Sequence, residues 1–365
     1  MLARLIKRLL RPSTGRRAAS SGAFLTLLAM VMAVSFAGCP CASGVVNASP
    51  ALRWFLFSNF GASRICPEML KLGMPVKMQD HGPAIGRFFP MQCSYAVNDS
   101  AQTVTVHFAG TGYVFMNPAK RVGFSCTGSV EYRPDFKIHD DDIYVWGRLN
   151  RMVQGPNFQI AYVENGILDL AANIPPFGSM ANFLGQAVVS GEMTRGFTVV
   201  HNEDKGNDFS LGILLPPNKP HHPFKVTNTE RYTFANETTE IHQNQRDFLG
   251  PFEVTDSGQA LTLMMSLNGP PVDVMVVTKG TGDAWRDMYQ RGVPAGMGPP
   301  PGPIVAGGPL QPGPTDNRSY PLAPGLYYVV IDNTSTAGLV SPPASLFNPL
   351  GDAVARVSYV AQLAE

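Results

Sequence analysis

Charge is scarce in this chain. Only 15% of its 365 residues are Asp, Glu, Lys or Arg, and the formal net charge is +1. A nucleic-acid binder needs a basic face, and so few cations cannot assemble one. Cysteine is scarce as well, at five residues. None of them makes a Cys-x-x-Cys or a Cys/His ligand spacing, which excludes a structural zinc site of the usual kind. The catalytic signatures are missing too. There is no Gly-x-Ser-x-Gly elbow, no Ser-x-x-Lys, no His-Glu-x-x-His and no phosphate-binding P-loop. Gly123-Phe124-Ser125-Cys126-Thr127-Gly128 has the wrong spacing for an elbow and falls in a strand-like run. No cofactor is expected, and the sequence does not read as an enzyme. No apolar run reaches the roughly 20 residues of a spanning helix. What is plentiful is glycine and proline, 36 and 32 residues, a composition that suits strands and turns.

The first 22 residues carry Arg4, Lys7, Arg8, Arg11, Arg16 and Arg17 and no acid. The apolar stretch Ala23–Phe36 follows, then Ala37, Gly38 and Cys39. Cations, then an apolar run, then small residues is the order of a secretory signal. Phe36-Ala37-Gly38-Cys39 resembles the lipobox of bacterial lipoproteins, with Phe36 in place of the preferred Leu. The resemblance implies lipid attachment: Cys39 receives a diacylglycerol on its thiol, the signal over residues 1–38 is removed, and the new amine takes a fatty acid such as palmitate. An ordinary signal peptide or a short membrane helix is the alternative. The Arg16-Arg17 pair also invites a twin-arginine export signal, although alanines and serines follow it. Loss of residues 1–38 leaves 22 cations against 27 anions, a net charge of −5. On the lipoprotein reading the mature body is held by its lipid on a bacterial membrane, most readily the outer membrane, facing the periplasm or the cell surface.

Export makes disulfides possible. Cys41, Cys66, Cys93 and Cys126 remain, which allows three connectivities. Cys66 and Cys93 sit in irregular, proline-containing flanks, and that pair is the expected bond. Cys126 reads as a small buried apolar residue.

Residues 39–92 read as a tether, loose over 42–48, and a helical segment. Ser49 caps a helix with Pro50 in its first turn. Leu52, Phe55, Leu56 and Phe60 fall on one face, with Trp54 and Phe57 beside them; the face is expected to pack on the body, the alternative being a place among lipid headgroups. Residues 93–215 read as an antiparallel sheet with one helix, from the β-rich runs Thr103–Phe108, Gly112–Met116, Arg121–Tyr132, Ile143–Leu149 and Phe158–Val163. Gly110, Pro134 and Gly155-Pro156 punctuate them. The helix is expected over Ser179–Gly191, with Met180, Phe183, Leu184, Ala187 and Val188 on its apolar face. Such a helix on a curved sheet is one way to enclose an apolar ligand; the plainer outcome is that the two fill each other.

Residues 216–223 form a proline-rich linker. Residues 224–365 read as a β-sandwich, so the chain as a whole is mainly β with some α. A short helix is expected over Asp283–Gln290, capped by Asp283 and stopped by Gly292. Residues 294–314 hold eight Pro and six Gly and read as a disordered loop outside the sheet. The runs Ala260–Leu263, Val272–Val277, Pro324–Val330 and Val357–Val360 resemble the pre-peptidase C-terminal domains of secreted bacterial proteins, which implies a binding or accessory role.

Two polar stretches are candidates for metal chemistry: Lys137-Ile138-His139-Asp140-Asp141-Asp142, and the loop Asn202–Asp208 after His201. Solvated turns are the preferred reading of both, and no metal is expected. His221-His222 falls in the linker. The functional expectation is a membrane-tethered structural or binding module at the cell envelope. The alternative is a carrier of a lipid or other apolar ligand. Its partners would be the membrane, through Cys39, and an envelope protein or apolar ligand.

Overall fold

The computed structural model describes residues 41–71, 73–79, 82–117, 119–165, 195–202, 206–218, 226, 231–340 and 353–365. Its chain is mainly β, as the sequence reading expected, and it builds two sheets. Cys39 and the helix proposed over Ser179–Gly191, with Met180, Phe183, Leu184, Ala187 and Val188, lie outside the described residues.

The N-terminal segment is helical from its start. α1 spans Cys41–Ala48 and α2 spans Pro50–Leu56; a π-turn, Phe57–Gly61, leads into α3, Ala62–Met69. Residues 42–48 are therefore not the loose tether the composition suggested. The reason is a specific tie. Asn47 uses its side-chain amide like a strand neighbour, donating to Ile138 O at 2.8 Å and accepting from Ile138 N at 2.9 Å. Ser49 caps α2 by accepting from Leu52 N. Arg53 then makes a two-point contact with Asp135, 2.7 Å from Nε to Oδ1. Val46, Phe57, Ala62, Ile65 and Met69 are buried in the core of the first sheet. The helices thus pack on the body.

β1 (Met74–Lys77), β2 (Ala84–Asn98), β3 (Thr103–Met116), β4 (Lys120–His139) and β5 (Asp142–Val163) follow as antiparallel neighbours. Several expected short strands are halves of longer ones. Pro134 interrupts nothing, because β3 ends opposite Tyr132 and no ladder partner needs an N–H on that side. Gly155 and Pro156 fall in a bulge, where the register skips between Thr127 and Ser129. The hairpin β6 (Phe197–Asn202) and β7 (Gly206–Leu211) continues the sheet past the first turn of β5.

The second half adds β8 (Tyr232–Ile241), β9 (Gln245–Val254), β10 (Ala260–Asn268), β11 (Val272–Thr278), α4 (Lys279–Gln290), a 3-10 turn (Pro294–Met297), β12 (Ile304–Leu310), β13 (Asp316–Pro321), β14 (Gly325–Asn333) and β15 (Ala355–Ala364). The order β13-β10-β15-β8 packs across the four-stranded sheet β12-β11-β14-β9. Alternate apolar residues of both, such as Leu261, Leu263, Val274, Val329 and Val357, fill the space between. β8 also touches β2, through the single parallel pair Ala84 and Thr239, so one sheet runs through both halves.

Two expectations fail here. α4 starts one turn before Asp283, because Thr278 is its cap and accepts from Thr281 N. Residues 294–314 are not excluded from the sheet. They hold the 3-10 turn and β12, which pairs with β11. β12 is an edge strand, so Pro309 deprives no outer neighbour of a donor. Gly307 fits there because an added Cβ would lie 2.2 Å from Val274 O.

α4 is wedged between the four-stranded sheet and the outer face of β2 and β3. Trp285 and Tyr289 are buried there with Phe89, Tyr113, Phe248 and Tyr328. The C-terminal end of α4 comes so close to β4 that a Cβ on Gly123 would meet Gln290 O at 1.8 Å.

Candidate functional site

Among the described residues a dense network of buried charged and phenolic groups lies at this junction, around two consecutive residues of β9. Asp247 points toward β2 and β3. It accepts from Arg87 Nε at 3.0 and 3.1 Å, from Tyr113 OH at 2.6 Å and from Thr239 Oγ1 at 2.7 Å. Arg87 also donates to Glu237 at 3.2 Å and to Tyr359 OH at 3.0 Å. Tyr113 OH in turn accepts from Phe248 N at 2.8 Å. The neighbouring Arg246 points the other way. It pairs with Asp332 at 2.9 Å, and both side chains are 0% exposed. Its guanidinium also donates to Gly298 O and Met297 O, each at 3.0 Å, and lies 4.3 Å from the Trp285 ring centroid.

Burial acts on these groups in two ways. It opposes the charge of Arg87, but Asp247, Tyr359 and Glu237 outweigh it and hold the guanidinium pKa well above its usual value. Burial, then the Asp247 charge, raises the Tyr113 pKa well above the phenol value of 10.0. Burial does the same for Tyr359 and raises Tyr289. At the second pair burial dominates. It lowers Arg246 and raises Asp332 in spite of their mutual attraction. These buried phenols stay protonated in the folded state and ionise once the chain unfolds. Stability should therefore hold up to about pH 10 and fall above it. Guanidinium unfolding curves between pH 8 and 12 measure this; a flat profile to pH 12 would contradict it.

Both oxygens of Asp247 are already engaged. The cluster thus binds strands of both halves together. Beside it a small cleft is lined by Phe115, Glu240, His242, Gln245 and Arg246, among others. It has room for about one water. His242 stacks on Phe115 with ring centroids 3.5 Å apart and hydrogen-bonds Glu240 at 3.0 Å. None of the residues that line the cleft is Ser, Thr or Cys.

The residues singled out from the sequence lie elsewhere. His139 is 45% exposed and pairs with the more exposed Asp140. Asp142 accepts from Asn202 Nδ2 at 2.7 Å. His139 opposes Asp142, whereas His201 opposes Ile143 in the next row. Adjacent rows face opposite sides of a sheet, so the two histidines do not converge. Among the described residues no group of three metal-ligating side chains forms. Glu203, Asp204, Lys205, His221 and His222 lie outside the described residues. Cys66 and Cys93 are joined in a disulfide, with Cα atoms 5.3 Å apart, and Cys126 is free and buried.

The junction cluster was not found from the sequence. Its only local mark is a charge inside an apolar strand: Arg87 before Phe88-Phe89, and Arg246-Asp247 before Phe248-Leu249. The chain matches no known protein-family model and no curated protein. Among the described residues no helix is long and apolar enough to cross a membrane.

Proposed function

We propose that this protein is a lipid-anchored binding module of the bacterial cell envelope, tethered through Cys39 and working without catalysis. The observation that carries the reading is the sequence Phe36-Ala37-Gly38-Cys39 behind a cationic and apolar leader. Two or three acyl chains give stable attachment at roughly 0.8 kcal/mol per buried methylene. The engaged and buried state of the polar cluster supports the absence of chemistry.

The fold gives the anchor a consequence. α1 starts two residues after Cys39 and is tied to β4 at Asn47. The anchor site would therefore lie beside the end of β4, because α1 packs there through Asn47 and the buried Val46. The carrier alternative places its ligand under the helix expected over Ser179–Gly191, which lies outside the described residues.

The test is metabolic labelling of the full-length chain with an alkyne fatty acid in a bacterial host. Wild type should incorporate the label, and Cys39→Ser should abolish it and leave an uncleaved precursor. Equal labelling of both chains would refute the anchor.

A further inference from the structure

We infer that Arg133 and Arg148, paired across β4 and β5, dock on the phosphate headgroups of an anionic lipid bilayer. The register sets the two residues directly opposite each other. Residues so placed have Cβ atoms about 4.5–5.5 Å apart, and like charges there oppose folding. Both side chains are exposed. Among the described residues neither guanidinium has a carboxylate partner.

The acids nearest in sequence are already taken. Glu131, two residues before Arg133, receives Arg151 Nε at 3.0 Å and the Asn150 amide. Asp135, two residues after it, receives Arg53 Nε at 2.7 Å. The exposed acids of the β4–β5 turn, Asp140 and Asp141, come later. Asp140 lies about 23 Å farther along the strand, well beyond the ~8 Å screening length of physiological salt. Arg151 adds to the positive charge, since its side chain is 67% exposed even in its pair with Glu131. Two uncompensated guanidinium forks on one open face suit phosphate oxygens, which they can hold in two-point contacts.

The position of the pair selects the source of the phosphate. A nucleic acid needs cations along a longer track. A free phosphate ion on an open strand competes with water at both guanidiniums and gains little. A bilayer offers many phosphates in one plane, and a lipid on Cys39 would hold them at high effective concentration. The segment that follows Cys39 packs along the same stretch of β4. Asn47 of α1 is tied to Ile138, and Arg53 of α2 to Asp135. Ile138 and Arg133 are about 17 Å apart along the strand. α1 carries no charged residue to repel an anionic surface, and its Val45 is 53% exposed. Each cation close to an anionic leaflet strengthens attachment about fivefold.

This inference names the partner of the binding-module reading and rests on its anchor. The two fail separately: acyl labelling reports Cys39, and arginine chemistry reports the pair. The experiment is phenylglyoxal modification of the full-length protein, reconstituted into vesicles of phosphatidylcholine alone or with about one-third phosphatidylglycerol. Mass spectrometry reads the rate at each arginine, with the exposed Arg291 as reference. On the anionic vesicles Arg133 and Arg148 should react at least fivefold more slowly, with Arg291 unchanged. About 0.5 M salt, with a screening length of about 4 Å, should remove the protection. Arg148→Gln should cut the protection of Arg133 to less than half. Its melting midpoint should be unchanged or higher, because a like-charge contact is gone; the wild-type comparison stands alone if the variant fails to fold. Equal rates on the two vesicles, or equal slowing at Arg291, would overturn the inference. So would protection by inorganic phosphate or duplex DNA as strong as that by the anionic vesicles.

Discussion

Asp247→Ala is expected to cost about 3–5 kcal/mol of folding stability, the range for breaking a buried ion pair by removing one partner. The cause lies in what remains. Arg87, whose side chain is 2% exposed, would keep its charge and lose its central counter-ion. Tyr113 OH and Thr239 Oγ1 would each lose an acceptor. Glu237 remains in reach of Arg87, but at 3.2 Å and on the more exposed side. The network joins β2 and β3 of the first half to β8, β9 and β15 of the second, so the damage falls on the junction. Urea unfolding of wild type and variant measures the loss from the shift in midpoint. A loss below about 1 kcal/mol would mean that the network is far better hydrated than its burial indicates. A control separates charge from packing. Arg87→Met/Asp247→Leu removes the pair and fills its volume, and should recover part of the loss, as apolar replacement of a buried pair often does.

The same cluster shows why the sequence was legible in some places and opaque in others. Periodicity and turn chemistry report on neighbours in sequence. They placed the β-rich runs, the Ser49 cap of α2 and the stop of α4 at Gly292. The Cys66–Cys93 pairing was expected, but not for the right reason: the two cysteines sit in α3 and β2, not in irregular flanks. The lengths of β3, β4 and β5 were not, because Gly110, Pro134 and Gly155-Pro156 act as breakers only where a neighbouring strand needs their backbone. β12 was missed for the same reason: an edge strand asks less of its residues than an inner one. The junction network lies beyond any local rule. Arg87 and Asp247 are 160 residues apart, and their pairing exists only after β8 reaches β2.

Removing the disulfide with Cys66→Ser/Cys93→Ser is expected to cost about 3.5 kcal/mol, from the loop entropy of its sequence separation. That separation is 27 residues. The double variant is the right comparison because it leaves no lone thiol to react. Two local features make the staple matter. Cys93 lies on the inner face of β2, opposite Phe108, just past the bulge at Met91 that breaks the β2–β3 register. Cys66 sits in α3, whose Ile65 and Met69 are buried in the first core. The bond thus fixes the last N-terminal helix to the strand at the point where that strand changes course. Hydrogen exchange should localise the effect, with faster exchange in α1, α2 and α3 and in β2 beyond Cys93, and little change at the Trp285 junction. A loss under about 1 kcal/mol, or faster exchange spread evenly over both halves, would show that helix packing alone holds this end together.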